Sequence, residues 1–118
     1  MREVRFHIHR KSAFAGALLP YRMYINGQYI GTIRNGKSLD ANVPKAGVYY
    51  IEDDILFSRN AVIYDNGLSE YSVVIKRAGG WRTESYNEFY MEKGNVLEQL
   101  PSFHWEKLFE LQQSMSQS

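Results

Sequence analysis

The fold is decided by residues 21–33, which read YRMYINGQYIGTI. The first five residues and the last six are rich in the apolar and aromatic residues that strands favour. Between them lies Asn26-Gly27, the dipeptide that most favours a type I′ turn, because both central residues of that turn need a positive φ. The stretch therefore predicts a tight β-hairpin.

Short β-rich runs recur on both sides of this hairpin, and turn residues separate them roughly every 8–12 residues. The run Val4–Arg10 alternates strictly between apolar and polar side chains, which is typical of a strand with one buried face. The other runs cover residues 39–43, 48–51, 61–64, 71–77 and 81–86, the last of which can extend to Met91. This spacing predicts a mainly β protein, an Ig-like antiparallel β-sandwich of about seven to eight strands over residues 1–95.

The C-terminal segment, residues 96–118, has a different character. Apolar residues recur there at three- to five-residue steps, and Ser102 follows Pro101 as a candidate helix cap. These features predict one amphipathic α-helix over residues 102–113 and a frayed polar tail, packed on the same domain. An apolar helix face must be covered, so we expect the helix to cap the sheet or to hold a homodimer together through Trp105, Leu108 and Phe109.

Length and composition limit the possible functions. The chain has 118 residues, a net charge of +1 and no cysteine. One domain fits this length, and the charge balance excludes a polybasic nucleic-acid-binding tail. Without cysteine there is no disulfide scaffold, thiolate zinc site, iron–sulfur cluster or cysteine nucleophile. No apolar run approaches the ~20 residues of a membrane span, and the charged N-terminus is unlike a signal peptide. We therefore expect a cytoplasmic protein with no cofactor and no nucleic-acid partner.

The run Tyr24–Thr32 resembles the core of PEGA-type and related small bacterial β-sandwich domains, in which a strand leads to Asp/Asn-Gly and a later glycine opens the next strand. Residues 43–49 and 14–17 are similar to two further parts of that pattern, although Phe14 stands where the family has proline and the Thr-Pro-Leu after the second strand is absent. The resemblance covers about a third of the chain. It implies a sandwich architecture and a non-catalytic accessory or binding module.

His7-x-His9 is the one spacing in the sequence that suggests metal ligation. Residues i and i+2 of a strand point to the same side, so the two imidazoles could share an ion. Two basic residues follow directly, however, and cations at that distance repel a divalent ion. We therefore expect both histidines on the solvated face of their strand, with no metal. A metal site would need a third ligand from Asp53, Asp54 or His104.

The acidic run Glu52-Asp53-Asp54 offers clustered carboxylates of the kind that hard cations prefer. It lacks the spacing of a calcium-binding loop. We interpret it instead as a solvated turn that ends the strand over residues 48–51.

The nine tyrosines and two tryptophans suggest a surface on which sugars or bases could stack. Tyr24 has the opposite parity to Met23 and Ile25, so it should point away from the core, and one of the neighbours Tyr49 and Tyr50 should do the same. Tyrosine also stabilises sheets through cross-strand pairs. A nucleic-acid-binding barrel would need basic residues beside these rings, for which Arg5, Arg22 and Arg34 are the candidates.

No sequence motif of hydrolysis, phosphate binding or dinucleotide binding is present. The sequence therefore predicts a non-catalytic module that acts by protein–protein contact, including self-association through the C-terminal helix. One alternative is a carbohydrate- or polymer-binding module that uses Tyr24 and Tyr49. A second alternative is a metal-dependent enzyme built on His7 and His9.

Overall fold

The computed structural model describes residues 2–14, 16–55, 60–79 and 86–103, with the backbone alone for Phe103. These residues form ten strands and contain no helix. In chain order the strands are β1 (Glu3–Arg10), β2 (Tyr21–Ile25), β3 (Gln28–Ile33), β4 (Ser38–Pro44), β5 (Val48–Asp53), β6 (Asn60–Tyr64), β7 (Glu70–Ala78), β8 (Tyr86–Lys93), β9 (Val96–Gln99) and β10 (Ser102–Phe103).

The strands form two five-stranded sheets. The first sheet has the order β4-β1-β7-β8-β9, and the second has the order β10-β6-β5-β2-β3. Along strands such as β1, β2 and β7 alternate residues point inward, and the apolar faces of the two sheets bury one another. The prediction of a mainly β, sandwich-like protein is thereby confirmed.

The prediction that all strands pair antiparallel is wrong for one pair. Strands β1 and β7 lie parallel, in a register that runs from Arg5 opposite Glu70 to Arg10 opposite Ile75. The other pairings among the described strands are antiparallel. Alternating side chains specify which face of a strand is buried, but they carry no information on its direction relative to a distant neighbour.

The predicted hairpin is present, and its turn residues fix it to a third strand. Asn26 and Gly27 have φ angles of 51° and 81°, as a type I′ turn requires. The Asn26 side chain donates to the carbonyl oxygen of Val48 at 3.1 Å and accepts from the amide of Tyr50 at 2.8 Å. Because an aspartate could not donate the first of these bonds, the asparagine ties the turn to β5 as well as shaping it.

The predicted C-terminal helix over residues 102–113 is not found at its start, where Ser102 and Phe103 form β10 beside β6. Residues 104–118 lie outside the described part of the chain. Residues 96–99 pair with β8 through a turn at Gly94, whose φ is 61°. The apolar spacing of Leu97 and Leu100, read from the sequence as helical, belongs to this strand and to the core behind it.

One end of the space between the sheets is filled by three rings, which we call the aromatic end: Phe6, Tyr49 and Tyr71. The Phe6 ring lies 5.1 Å from that of Tyr49 and 5.4 Å from that of Tyr71, centroid to centroid. Both hydroxyls have partners: Tyr49 accepts from the Ala46 amide at 3.0 Å, and Tyr71 donates to Asp65 at 3.2 Å. The rings can therefore be buried without leaving a hydroxyl group unbonded.

The opposite end of the same space is polar, and we call it the polar end: Arg10, Tyr21, Asp53, Arg77 and Asn87. Asn87 donates from Nδ2 to Asp53 at 2.7 Å and accepts at Oδ1 from Arg77 at 3.1 Å. The other Asp53 oxygen accepts from the Ile55 amide at 2.9 Å. The interpretation of Glu52-Asp53-Asp54 as a solvated turn is therefore wrong for its first two residues, which continue β5 and are fully buried (0% exposed).

Arg10, at the polar end, is only 2% exposed despite its size and charge. Its guanidinium carbon lies 3.4 Å from the ring centroid of Tyr21. Nη1 donates to the carbonyl oxygens of Leu19 at 2.6 Å and Ile33 at 3.0 Å, and Nη2 donates to that of Gly16 at 3.0 Å. Burial lowers the pKa of Arg10, and the contact with Tyr21 opposes that shift. The group still carries its charge at neutral pH, since an arginine side chain remains protonated in proteins.

Candidate functional site

The outward face of the second sheet carries Tyr24, as its parity predicts. On β2 the inward side chains of Tyr21, Met23 and Ile25 are buried, whereas Arg22 is exposed and Tyr24 is half-buried. A hollow of about 380 Å³ opens on this outward face, lined by Arg22, Tyr24, Tyr29 and Thr32. We call it the tyrosine hollow.

The two rings of the tyrosine hollow meet at an angle. The centroids of Tyr24 and Tyr29 are 5.7 Å apart, and their planes are inclined by 60°. Tyr29 is 57% exposed, and its hydroxyl bonds to that of Thr32 at 2.6 Å. An edge-to-face pair is a stable arrangement of aromatic rings, and here it leaves ring surface open to solvent.

An irregularity in the hairpin brings Tyr29 and Thr32 to the same face. These residues are three apart, so strict alternation would place them on opposite faces. The register of β2 and β3 shifts between Met23 and Tyr24, where Met23 faces Gly31 and Tyr24 faces Tyr29. Gly31 has a φ of 142°, and a Cβ there would lie 2.6 Å from Leu39 Cδ1. Glycine is therefore needed at the bulge that completes the hollow.

Polar groups border the tyrosine hollow. The Asp54 carboxylate accepts from the Arg22 amide at 3.0 Å. Burial and the nearby Asp54 charge raise the pKa of the Tyr24 hydroxyl, and Arg22 lowers it by a smaller amount. Tyr24 is therefore neutral at physiological pH, and its hydroxyl can donate as well as accept.

The rest of this face is partly covered. Glu52, Asn60 and Val62 also point outward but are buried, while Tyr64 at the far end is 63% exposed. The accessible aromatic surface next to polar side chains is therefore concentrated at the β2–β3 margin, where the tyrosine hollow lies.

Tyr49, the other tyrosine named from the sequence as a binding residue, does not lie on this surface. It is fully buried (0% exposed) in the aromatic end, and its neighbour Tyr50 faces outward. The sequence left open which of the two adjacent tyrosines points out. The choice follows from the register of β5 against β6, in which Tyr49 pairs with the inward residue Ile63.

The three predicted contact residues of the C-terminal segment, Trp105, Leu108 and Phe109, lie outside the described residues. Self-association through them stays a prediction. It can be checked by comparing the light-scattering mass of the wild-type protein and the Trp105→Ala variant, since equal monomer masses would contradict it.

His7 and His9 point to the same outward face of the first sheet, as their spacing predicts, and each has its own partner. His7 Nδ1 lies 2.7 Å from Asp40 Oδ1, and His9 Nδ1 lies 2.8 Å from Ser38 Oγ. The Asp40 carboxylate also lies 3.5 Å from an Arg5 nitrogen. Within the described ranges, no three His, Asp or Glu side chains are close enough to hold a metal ion.

Two surface features were missed by the predictions from the sequence. Tyr29 and Thr32 were read only as part of a returning strand, because a bulge cannot be recognised from alternation. Phe14 and Leu18, 102% and 93% exposed, were not singled out from the sequence as surface residues. Their signal was present in the sequence: a run of apolar residues between two strands with no helical or strand period.

None of the protein-family models, curated proteins and solved structures compared with the chain matches it. In the part of the chain that the structure describes, there is no helix of the length and apolar character needed to cross a membrane.

Proposed function

We propose that the protein is a non-catalytic binding module whose tyrosine hollow takes a sugar unit of a carbohydrate polymer. The observation that carries this proposal is the inclined, solvent-open pair of Tyr24 and Tyr29 with polar side chains at its border. A sugar ring has an apolar C–H face and a rim of hydroxyls. It therefore needs an aromatic surface together with hydrogen-bonding groups, and the hollow supplies both.

The shape of the hollow suits a chain better than a free small molecule. It is an open depression on a sheet margin, whereas sites for small ligands enclose most of the ligand surface. An extended polymer can lie across the hairpin while one of its units stacks on the rings. Arg22 and Thr32 are then placed to hydrogen-bond its hydroxyls.

The border of the hollow supports binding over hydrolysis. Cleavage of a glycosidic bond uses two carboxylates about 5–10 Å apart on either side of the bond. Among the described residues that border the hollow, Asp54 is the one exposed carboxylate, since Glu52 on the same face is fully buried.

The test is affinity electrophoresis of the protein through gels that contain soluble β-glucan, xylan, mannan or glycogen. We expect at least one polysaccharide to retard the wild-type protein. Tyr24→Ala and Tyr29→Ala should each weaken that retardation about ten-fold, because each removes one of the two stacking rings. Tyr64→Ala is the matched control, since it removes an exposed tyrosine from the same face outside the hollow.

Two results would overturn the proposal. One is that none of the polysaccharides retards the wild-type protein. The other is that Tyr64→Ala weakens the retardation as much as Tyr24→Ala does, which would show that exposed tyrosines bind the polysaccharide nonspecifically.

A further inference from the structure

The connection between β1 and β2 exposes more large apolar side chains than any other described connection. Phe14 is 102% exposed, Leu18 is 93% exposed and Leu19 is 50% exposed. We call these three residues the apolar loop. Clustered exposed apolar surface costs free energy in water and usually marks a contact with another phase or another molecule.

The base of the apolar loop is held firmly, so its exposed side chains are a fixed feature of the fold. Arg10 donates to the carbonyl oxygens of Gly16 and Leu19, and the Leu19 amide bonds to the Gly16 carbonyl at 3.0 Å. The Ala13 amide donates to the Asn35 side chain at 2.9 Å, which joins the loop to the turn between β3 and β4. These contacts fix the backbone and leave the apolar side chains pointing into solvent.

Three exposed cations surround the base of the loop. Lys11 is the first residue of the connection, and Arg34 and Lys37 begin and end the neighbouring turn between β3 and β4. Two hydrogen bonds hold that turn against the connection: the Ala13 amide donates to the Asn35 side chain, and the Arg10 amide donates to the Lys37 carbonyl oxygen. Across the described ranges, none of the three cations lies within ion-pair distance of a carboxylate. We call them the basic collar.

We propose that the apolar loop and the basic collar dock the protein on an anionic lipid surface. The loop exposes apolar side chains to solvent, so it matches the boundary between headgroups and acyl chains, which amphipathic segments enter by about 5–10 Å. The collar lies just behind it, at the depth of the charged headgroups, where each cation adds to binding. This placement needs no membrane-spanning element, and it leaves the tyrosine hollow free, since the hollow lies on a sheet face and not at the loops.

Apolar insertion and charge attraction can be tested separately. The full chain is sedimented with vesicles of phosphatidylcholine alone and of phosphatidylcholine mixed with phosphatidylserine. We expect binding to the anionic vesicles that weakens with added salt, and little binding to the neutral ones. Lys11→Glu and Lys37→Glu should each weaken binding to the anionic vesicles by about five-fold or more, because each replaces an attractive charge with a repulsive one.

The decisive variant is the double substitution Phe14→Asp with Leu18→Asp, which should weaken binding at least about ten-fold because it removes the inserted apolar surface. Both residues are solvent-exposed, so its thermal unfolding should match that of the wild type. Leu68→Asp is the control: it places one aspartate on an exposed leucine (47% exposed) in the connection between β6 and β7, at the opposite end of the sandwich, and should leave binding unchanged.

The proposal is overturned if the wild-type protein stays in the supernatant with both kinds of vesicle. It is also overturned if the double variant sediments as well as the wild type, or if Leu68→Asp weakens binding equally. A loop-dependent dimer in light scattering, with no vesicle binding, would instead assign the apolar loop to a second copy of the chain. None of these outcomes bears on retardation by polysaccharides, so this proposal and the proposed function can fail independently.

Discussion

The aromatic end and the polar end occupy the same space between the two sheets, yet they hold the sheets together in different ways. At the aromatic end, three rings pack against each other, and the attraction is non-directional and proportional to the area buried. At the polar end, directional hydrogen bonds join the side chains of Arg77, Asn87 and Asp53 to one another and tie those of Arg10 and Asp53 to the backbone. We therefore expect the aromatic end to contribute most of the free energy of folding. The polar end should mainly fix the conformation of the loops around it, because a buried hydrogen bond has a small net energy but a strict geometry.

The largest expected effect is at the aromatic end. Phe6→Ala should lower the free energy of unfolding by about 3–5 kcal/mol, because it removes a buried ring and leaves a cavity between two tyrosines. Urea denaturation measures it. Phe6→Leu is the control, since it keeps most of the volume and should cost much less. A loss below about 1 kcal/mol for the alanine variant would show that the ring is dispensable and would break the comparison.

The next largest effect should come from the polar end. Arg10→Met should lower the free energy of unfolding by about 3 kcal/mol, because three carbonyl oxygens lose their donor. Its characteristic result is local: amide hydrogen exchange within residues 11–20 should rise well above the wild-type rate, while exchange in β5 changes little. Arg10→Lys should behave similarly, since one ammonium lacks the planar fork that reaches three carbonyls. Unchanged exchange in the loop would contradict the role given to Arg10.

Asp53→Asn removes the charge of a buried side chain at the polar end while keeping its size, so it tests the contribution of the charge. The new amide can still accept from Ile55, but it presents a donor to the donating nitrogen of Asn87, so the free energy of unfolding should fall by about 1–2 kcal/mol. Asp54→Asn is the adjacent control, because its exposed side chain keeps the oxygen that accepts from Arg22. Equal effects of the two substitutions in urea denaturation would show that burial of Asp53 does not matter.

The smallest effect should come from a polar contact of similar chemistry at the surface. The hydrogen bond from His7 lowers the pKa of the Asp40 carboxyl, and Arg5 adds to this. A lowered folded-state pKa gives stability that is present above the unfolded value of about 3.9 and is lost as the pH falls through the folded value.

The stability difference between the wild-type protein and Asp40→Asn should therefore be small at neutral pH and should disappear as the pH falls through the lowered pKa of the Asp40 carboxyl. High salt should also reduce it, since both partners are exposed. A difference that persists in acid would show that Asp40 acts through packing and not through charge. In that case the exposed Asp40 contact and the buried Asp53 contact would not differ in the way that their burial predicts.

Features that depend on neighbouring residues could be predicted from the sequence, whereas features that depend on distant strands could not. Residues 21–33 contain their own turn chemistry, so the hairpin and its boundaries were predicted closely. The outward position of Tyr24 followed from parity alone. The inward position of Tyr49 could not be predicted in this way, because two adjacent tyrosines fit either register equally well. Pairing of β5 with β6 determines which of them is buried.

The acidic run shows the opposite case. Three consecutive acidic residues are typical of a solvent-exposed turn, and nothing in the neighbouring sequence reveals that Asn87, 34 residues further along the chain, bonds to Asp53. Arg10 was likewise read as a charged residue at a strand end. The apolar spacing after Asn95 fitted a helix, but pairing with β8 made residues 96–99 a strand.

The sequence by itself determined the β-rich character of the protein, most of its strands and the tight turn at Asn26-Gly27, because side-chain alternation and positive-φ residues act over a few neighbouring residues. Only the tertiary structure decided that β1 runs parallel to β7, that a bulge unites Tyr29 with Thr32, and that two arginines enter the interior. Those features depend on strands that are far apart in the chain, whose mutual direction and register are fixed only when the two sheets close on each other.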